Sequence, residues 1–104
     1  MNRDFLEMIK TRRSTRSFKP DSIPEDLLDA VLEAGTYAPT GMNRQSPVII
    51  AVSDKKYREK LSKLNAAIMG VDKDPYYGAP TVVLVLADPS ANTFVEDGSC
   101  VLEN

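Results

Sequence analysis

The sequence has no histidine and one cysteine, Cys100, in 104 residues. Without imidazole there is no histidine general base, no Ser-His-Asp triad and no mixed zinc site. With one thiol there is neither an internal disulfide nor a cysteine cluster. No apolar run approaches the ~20 residues of a membrane span. The opening MNRDFLEMIK is mixed and charged, unlike a signal peptide. Internal repeats and low-complexity tracts are absent. Asp72, Asp74 and Asp88 lack the spacing of a calcium loop. A reduced, cytoplasmic setting without a metal is the expectation, with neither nucleic acid nor membrane as a partner.

Net charge is small, −2, but unevenly placed. Residues 1–19 carry six bases (Arg3, Lys10, Arg12, Arg13, Arg16 and Lys19) against Asp4 and Glu7, a local excess of +4, so the remainder carries −6. The positive field centres on TRRSTRSF, residues 11–18. Guanidinium groups beside Ser14 and Thr15 suit a phosphate or a flexible anionic tail, through forked, charge-assisted hydrogen bonds. Two other readings stay open. The cations could simply favour the C-terminal end of a helix dipole, and RRST has the basic-then-hydroxyl order of a kinase substrate site.

Phe5, Met8 and Ile9 recur at helical spacing and predict a helix over 4–12, with Asn2 as a capping candidate. Lys19, ahead of Pro20, biases 16–20 to extended backbone. In DSIPEDLLDAVLEAG (21–35), Asp21 and Ser22 offer capping oxygens, Pro24 suits a first turn, and Glu25 and Asp26 complement the dipole. Leu27, Leu28, Val31 and Leu32 form its apolar face, with Gly35 as the expected stop. VIIAV (48–52) and TVVLVLA (81–87) read as strands covered on both faces, at the centre of a sheet. Between them, Asp54 caps a helix to about Ala67 that turns Tyr57, Leu61 and Leu64 inward. A last helix begins near Asn92 or Thr93 and still runs at Asn104, with Cys100 in the core beside Val101. Two central-type strands make a poor core alone, so the sequence reads as part of a larger domain.

The second polar constellation is APTGMNRQSP, residues 38–47. Gly41 permits close backbone approach or positive φ. Thr40, Asn43 and Gln45 carry the donors and acceptors that read the edge of a planar heterocycle. Read alone, the segment is better taken as a polar surface loop that uses Asn and Gly only for turns.

Taken in order, RRSTR, an amphipathic helix, APTGMNRQSP, a strand, YYGAP before TVVLVLAD, and EDGSCVLEN resemble the N-terminal half of the FMN-dependent nitroreductase family. Its first motif reads about R-[RH]-S-x-[RK]-x-[FY] and its second about A-P-[ST]-[SGA]-x-N-x-Q-P. Here Ser46 stands between Gln45 and Pro47, a departure from that pattern. The resemblance implies an α+β fold with a mainly antiparallel sheet flanked by helices, residues 1–104 being the N-terminal part of one such domain. It implies FMN at the interface of an intertwined homodimer. Arg12, Arg13, Ser14 and Arg16 would hold the phosphate and ribityl tail. Pro39, Thr40 and Gly41 would meet the isoalloxazine ring, commonly from the partner subunit, and Asn43 and Gln45 would shape that loop. The implied activity is NAD(P)H-dependent reduction of nitroaromatics or quinones by ping-pong hydride transfer, with no protein acid, base or nucleophile. Family members run to nearly twice this length, so a glycine-containing segment, further strands and a basic phosphate ligand would lie outside this chain. A flavin-binding module without turnover, and a small anion- or nucleic-acid-binding domain on residues 3–19, remain alternatives.

Overall fold

The computed structural model describes residues 3–104. In chain order it contains α1 (Arg3–Thr11), α2 (Glu25–Thr36), a single 3₁₀ turn (Gly41–Asn43), β1 (Val48–Val52), α3 (Lys55–Met69), β2 (Val82–Leu86) and α4 (Phe94–Glu103). The expected capping role of Asn2 lies outside the described residues.

β1 and β2 pair antiparallel, from Val48 opposite Leu86 to Val52 opposite Val82. Strand alternation places Ile49, Ala51, Val83 and Val85 on one face. Helices α2 and α4 lie against the strands and against each other. Gly35 sets how closely they meet. A Cβ at Gly35 would stand 2.8 Å from Ile49 Cδ1 and 3.4 Å from Val101 Cγ1. Gly35 therefore does not stop α2, as its sequence position suggested. It is buried within the helix, where its small size lets a strand and a helix approach. The helix closes one residue later, with the Tyr37 N–H donating to Ala34 O at 3.2 Å. Asn104 Nδ2 reaches back from α4 to the same carbonyl at 2.6 Å.

Other capping expectations divide. Asp54 accepts from the N–H of Lys56 at 2.9 Å and of Tyr57 at 3.3 Å, as its position before α3 demands. That helix runs to Met69 and ends on Gly70 in left-handed geometry, φ 69°. Asp21 and Ser22 do not cap α2. Pro24 occupies the N-cap position without a side-chain bond, and its carbonyl accepts from Leu27 and Leu28.

Burial departs furthest from expectation. The strands are not covered on both faces: Val48, Ile50 and Leu86 are exposed. In α3, Tyr57 and Leu64 are exposed while Arg58 and Ser62 are buried. Cys100 is exposed, not core. Among the described apolar residues only Val82, Ala91 and Val101 are buried. The chain's accessible surface is 8350 Å², against about 5,800 Å² for a compact monomer of 11.5 kDa. Its radius of gyration is 15.5 Å, against about 13 Å for a compact domain of this length. These residues form an α+β framework whose apolar faces lack cover within the chain.

Candidate functional site

The arginine segment leaves the C-terminal end of α1. From Arg3 to Leu27 every described residue is exposed. The Arg13 guanidinium donates to Lys10 O at 3.1 Å and to Arg12 O at 2.8 Å. It thereby satisfies carbonyls that a helix end leaves without partners. The helix-end reading thus describes Arg13 in this chain. Arg12 and Arg16 differ: among the described residues neither side chain donates a hydrogen bond or joins an ion pair. Ser14 is exposed beside them.

The second constellation folds tightly. Thr40 Oγ1 accepts from the Gln45 N–H at 2.9 Å. Thr40 O accepts from the Asn43 N–H at 3.0 Å, and Gly41 O from the Arg44 N–H at 3.3 Å. Gln45 Nε2 donates to Asn43 Oδ1 at 2.8 Å. Met42, Asn43 and Gln45 all take positive φ, at 55°, 54° and 53°. Left-handed backbone costs a side-chain-bearing residue roughly 1–2 kcal/mol, and such strain persists only where surrounding structure fixes it. Positive φ falls on the neighbours of Gly41 rather than on Gly41 itself. That glycine is needed for space, because a Cβ there would overlap the Thr93 side chain.

Behind the loop stands Asp97, in the first turn of α4 and only 3% exposed. Asp97 Oδ1 accepts from the Gly41 N–H at 2.9 Å, and Oδ2 from Thr93 Oγ1 at 3.0 Å. In front lies a concavity of about 400 Å³, whose lining includes Leu32, Thr36, Ala38, Thr40, Gln45 and Pro47. Pro39 is exposed at its edge of the loop. Ser46 Oγ is buried without a hydrogen-bond partner.

A separate polar cluster shapes the approach to β2. Asp74 Oδ2 accepts from Arg58 Nη2 at 2.6 Å and from the Gly78 N–H at 2.8 Å. Its Oδ1 accepts from Ser62 Oγ at 2.8 Å and from the Tyr76 N–H at 3.1 Å. Arg58 Nε donates to Ala79 O at 2.7 Å, and its guanidinium lies 5.5 Å from the centre of the Tyr76 ring. Burial pushes the Asp74 carboxyl upward, but the Arg58, Ser62, Tyr76 and Gly78 hydrogen bonds outweigh it and hold the group well below the usual carboxylate range. This cluster orders the YYGAP segment.

The sequence profile of the nitroreductase family matches residues 9–102. The chain belongs to the nitroreductase family. A crystal structure of a nitroreductase with bound FMN from Bacteroides fragilis is 35% identical, superposes with a TM-score of 0.85, and is matched over 94% of this chain and 59% of its own. Another with bound FMN, from Desulfitobacterium hafniense, is 29% identical at a TM-score of 0.85, over 99% of this chain and 62% of its own. A Methanothermobacter thermautotrophicus relative, provisionally named an NADH dehydrogenase/NAD(P)H nitroreductase, is 31% identical over 105 aligned positions, gaps included, that cover 97% of this chain and 52% of that protein. The chain thus spans about half the length of that relative and about six-tenths of those two structures.

Within this family fold, the structure gathers Thr40, Gly41, Asn43 and Gln45 into one loop. It sets Arg12, Arg13, Ser14 and Arg16 on a separate arm. No hydrogen bond joins residues 11–18 to 38–47 among the described residues. Sequence reading missed Asp97 and underrated Asp74. The one available signal for Asp97 was an acid in the first turn of a helix, which reads more simply as a dipole partner.

Proposed function

We propose that this chain is the FMN-binding N-terminal portion of an NAD(P)H-dependent oxidoreductase of nitroreductase type. The observation that carries the reading is the pair of uncommitted guanidinium groups, Arg12 and Arg16, in the same chain as a strained amide-bearing loop over a concavity. Similar proteins with bound FMN, and a Bacillus subtilis relative named FMN reductase [NAD(P)H], 28% identical over 74 residues, support it.

The residues present suit the cofactor. A phosphate dianion needs cations with several donors, which Arg12, Arg13, Arg16 and Ser14 supply. The ring edge needs both N–H and C=O partners, which Asn43 and Gln45 carry. The orphaned Ser46 hydroxyl is one more polar group beside the loop without a partner of its own. The concavity falls within the ~300–1,000 Å³ of small-ligand pockets. Arg12, Arg13, Ser14 and Arg16 hold the phosphate and ribityl tail, Pro39, Thr40 and Gly41 face the ring, and Asn43 and Gln45 hold the loop to shape. FMN held by these residues would supply the hydride chemistry between NAD(P)H and a nitroaromatic or quinone acceptor. No side chain of this chain acts as acid, base or nucleophile.

A homodimer is part of the proposal. Phe5, Met8 and Ile9 on α1 are 58%, 61% and 56% exposed. The surface excess of roughly 2,500 Å² per chain over a compact monomer totals about 5,000 Å² for two copies, the upper part of the range that obligate homodimers bury between them. A second copy covers α1 and brings its arginines toward the loop of its partner. A cytoplasmic setting suits the single exposed thiol.

The test is optical. Purified chain mixed with FMN should stay yellow through gel filtration and bleach on anaerobic addition of NADH or NADPH. Arg12→Ala and Ser14→Ala should each lower FMN retention; unchanged occupancy in both ends the assignment of that segment. A yellow protein that does not bleach favours a flavin-binding module without turnover. A colourless protein whose polyanion binding falls steeply with salt favours the anion-binding alternative.

A further inference from the structure

We infer that Asp97 is the positioning residue of the flavin-facing loop, setting the geometry of residues 40–45 from behind; the inference rests on the FMN reading above. Its carboxyl is buried, lies on a different helix and touches no residue of the arginine arm. Both oxygens are committed, one to the Gly41 N–H and one to the Thr93 hydroxyl.

The consequence follows the peptide unit. The N–H of the Thr40–Gly41 peptide is fixed by Asp97 at 2.9 Å, which orients the carbonyl of that same peptide. That carbonyl, Thr40 O, accepts from the Asn43 N–H at 3.0 Å. The Thr40 hydroxyl accepts from the Gln45 N–H at 2.9 Å. One contact at Asp97 therefore holds the backbone from which the Asn43 and Gln45 side chains project. It also anchors a turn in which three non-glycine residues take positive φ, a conformation a free loop would relax.

Thr93 completes the device. Its hydroxyl orients the carboxyl, and its side chain fills the space a Cβ on Gly41 would need. Loop and helix are thus complementary: Gly41 can approach only because it lacks a side chain, and having approached, its N–H meets the carboxyl. A flavin-facing loop fixed in advance loses little freedom on binding.

The experiment is amide hydrogen exchange on the purified chain, paired with FMN titration, for wild type, Asp97→Ala and Asp97→Asn. In Asp97→Ala the Gly41, Asn43 and Gln45 amides should exchange about tenfold faster while Val83 and Val85 of β2 keep wild-type rates. FMN affinity should fall about tenfold, the scale of one lost hydrogen bond. Asp97→Asn keeps an oxygen for the Gly41 N–H and an amide for the Thr93 hydroxyl, so it should restore both readouts. Equal acceleration of loop and strand amides would show a general structural role and overturn the inference. So would a loosened loop with unchanged FMN affinity, or failure of Asp97→Asn to rescue. Should Asp97→Ala not fold, Thr93→Ala carries the same test, with a smaller acceleration confined to the loop expected. Wild type that binds no FMN while its loop amides are protected would refute the cofactor reading and not the anchoring contact.

Discussion

The amino-terminal arm and the body from α2 to α4 are held by different means. On the arm, the hydrogen bonds of Lys10, Thr11 and Arg13 stay within four residues. In the body, Gly41 reaches Asp97, Arg58 reaches Asp74 and Ala79, and Asn104 reaches Ala34. An isolated helix shorter than ~12–15 residues is marginal in water, and α1 has 9 residues. The geometry of the arginine arm therefore depends on what covers α1, whereas the 40–45 loop takes its shape from the chain itself. A site assembled from the two halves would bind fully only in the assembled protein.

Five measurements would break or sharpen that contrast. The largest effect belongs to the body. Asp74→Ala takes the short ion pair from a buried guanidinium that is 5% exposed as a residue, leaving it the Ala79 carbonyl and a 3.5 Å contact to Glu59, and should cost about 3 kcal/mol in urea unfolding; a loss below ~1 kcal/mol would reduce the cluster to surface decoration. The same carboxyl sets an acid dependence. Because its folded pKa is depressed, its stabilisation is complete above the unfolded value of about 3.9 and drains away as pH falls below that toward the folded value. Asp74→Asn should lack this acid-sensitive component in unfolding curves taken between neutral pH and acid.

Next comes Gly35→Val, which should cost about 2 kcal/mol by overpacking α2 against Ile49 and Val101. Thermal melts that match wild type would mean α2 sits further from the sheet than described. On the arm the expected effects are on ligand and partner, not on the body. Arg12→Ala should weaken FMN about tenfold by losing a charge-assisted contact, and Arg13→Ala only about twofold, since Arg13 already serves the carbonyls of Lys10 and Arg12. The reverse ranking would show that the helix-end bonds of Arg13 give way when ligand arrives. Smallest of all, Met8→Ala should leave the monomer within about 0.5 kcal/mol of wild type while raising the dissociation constant of the proposed dimer in sedimentation. Equal loss in both would place Met8 in a monomer core.

Much of the architecture was legible from local signals. The 3.6-residue recurrence of Phe5, Met8 and Ile9, the Asp54 cap and the β-branched run VIIAV located elements within a residue or two, because caps and periodicity act over one turn or one strand. The motif order around RRSTR and APTGMNRQSP pointed to the family before any contact was known. Burial was not legible. Tyr57 and Leu64 look like an inner face, yet Arg58 and Ser62 are buried, because Asp74, twelve to sixteen residues away, gathers charged and hydroxyl partners beneath the β2 approach.

The sequence by itself determined where β1 and α3 begin, which residues carry positive charge, and which segments carry amide side chains. Only the tertiary structure decided which glycine serves space rather than a helix end, which arginine is already engaged, and that a carboxyl on α4 grips a loop 56 positions earlier. Local backbone preferences are written in neighbouring residues, whereas a hydrogen bond between distant segments depends on how closely two surfaces pack, and no short stretch of sequence encodes that distance.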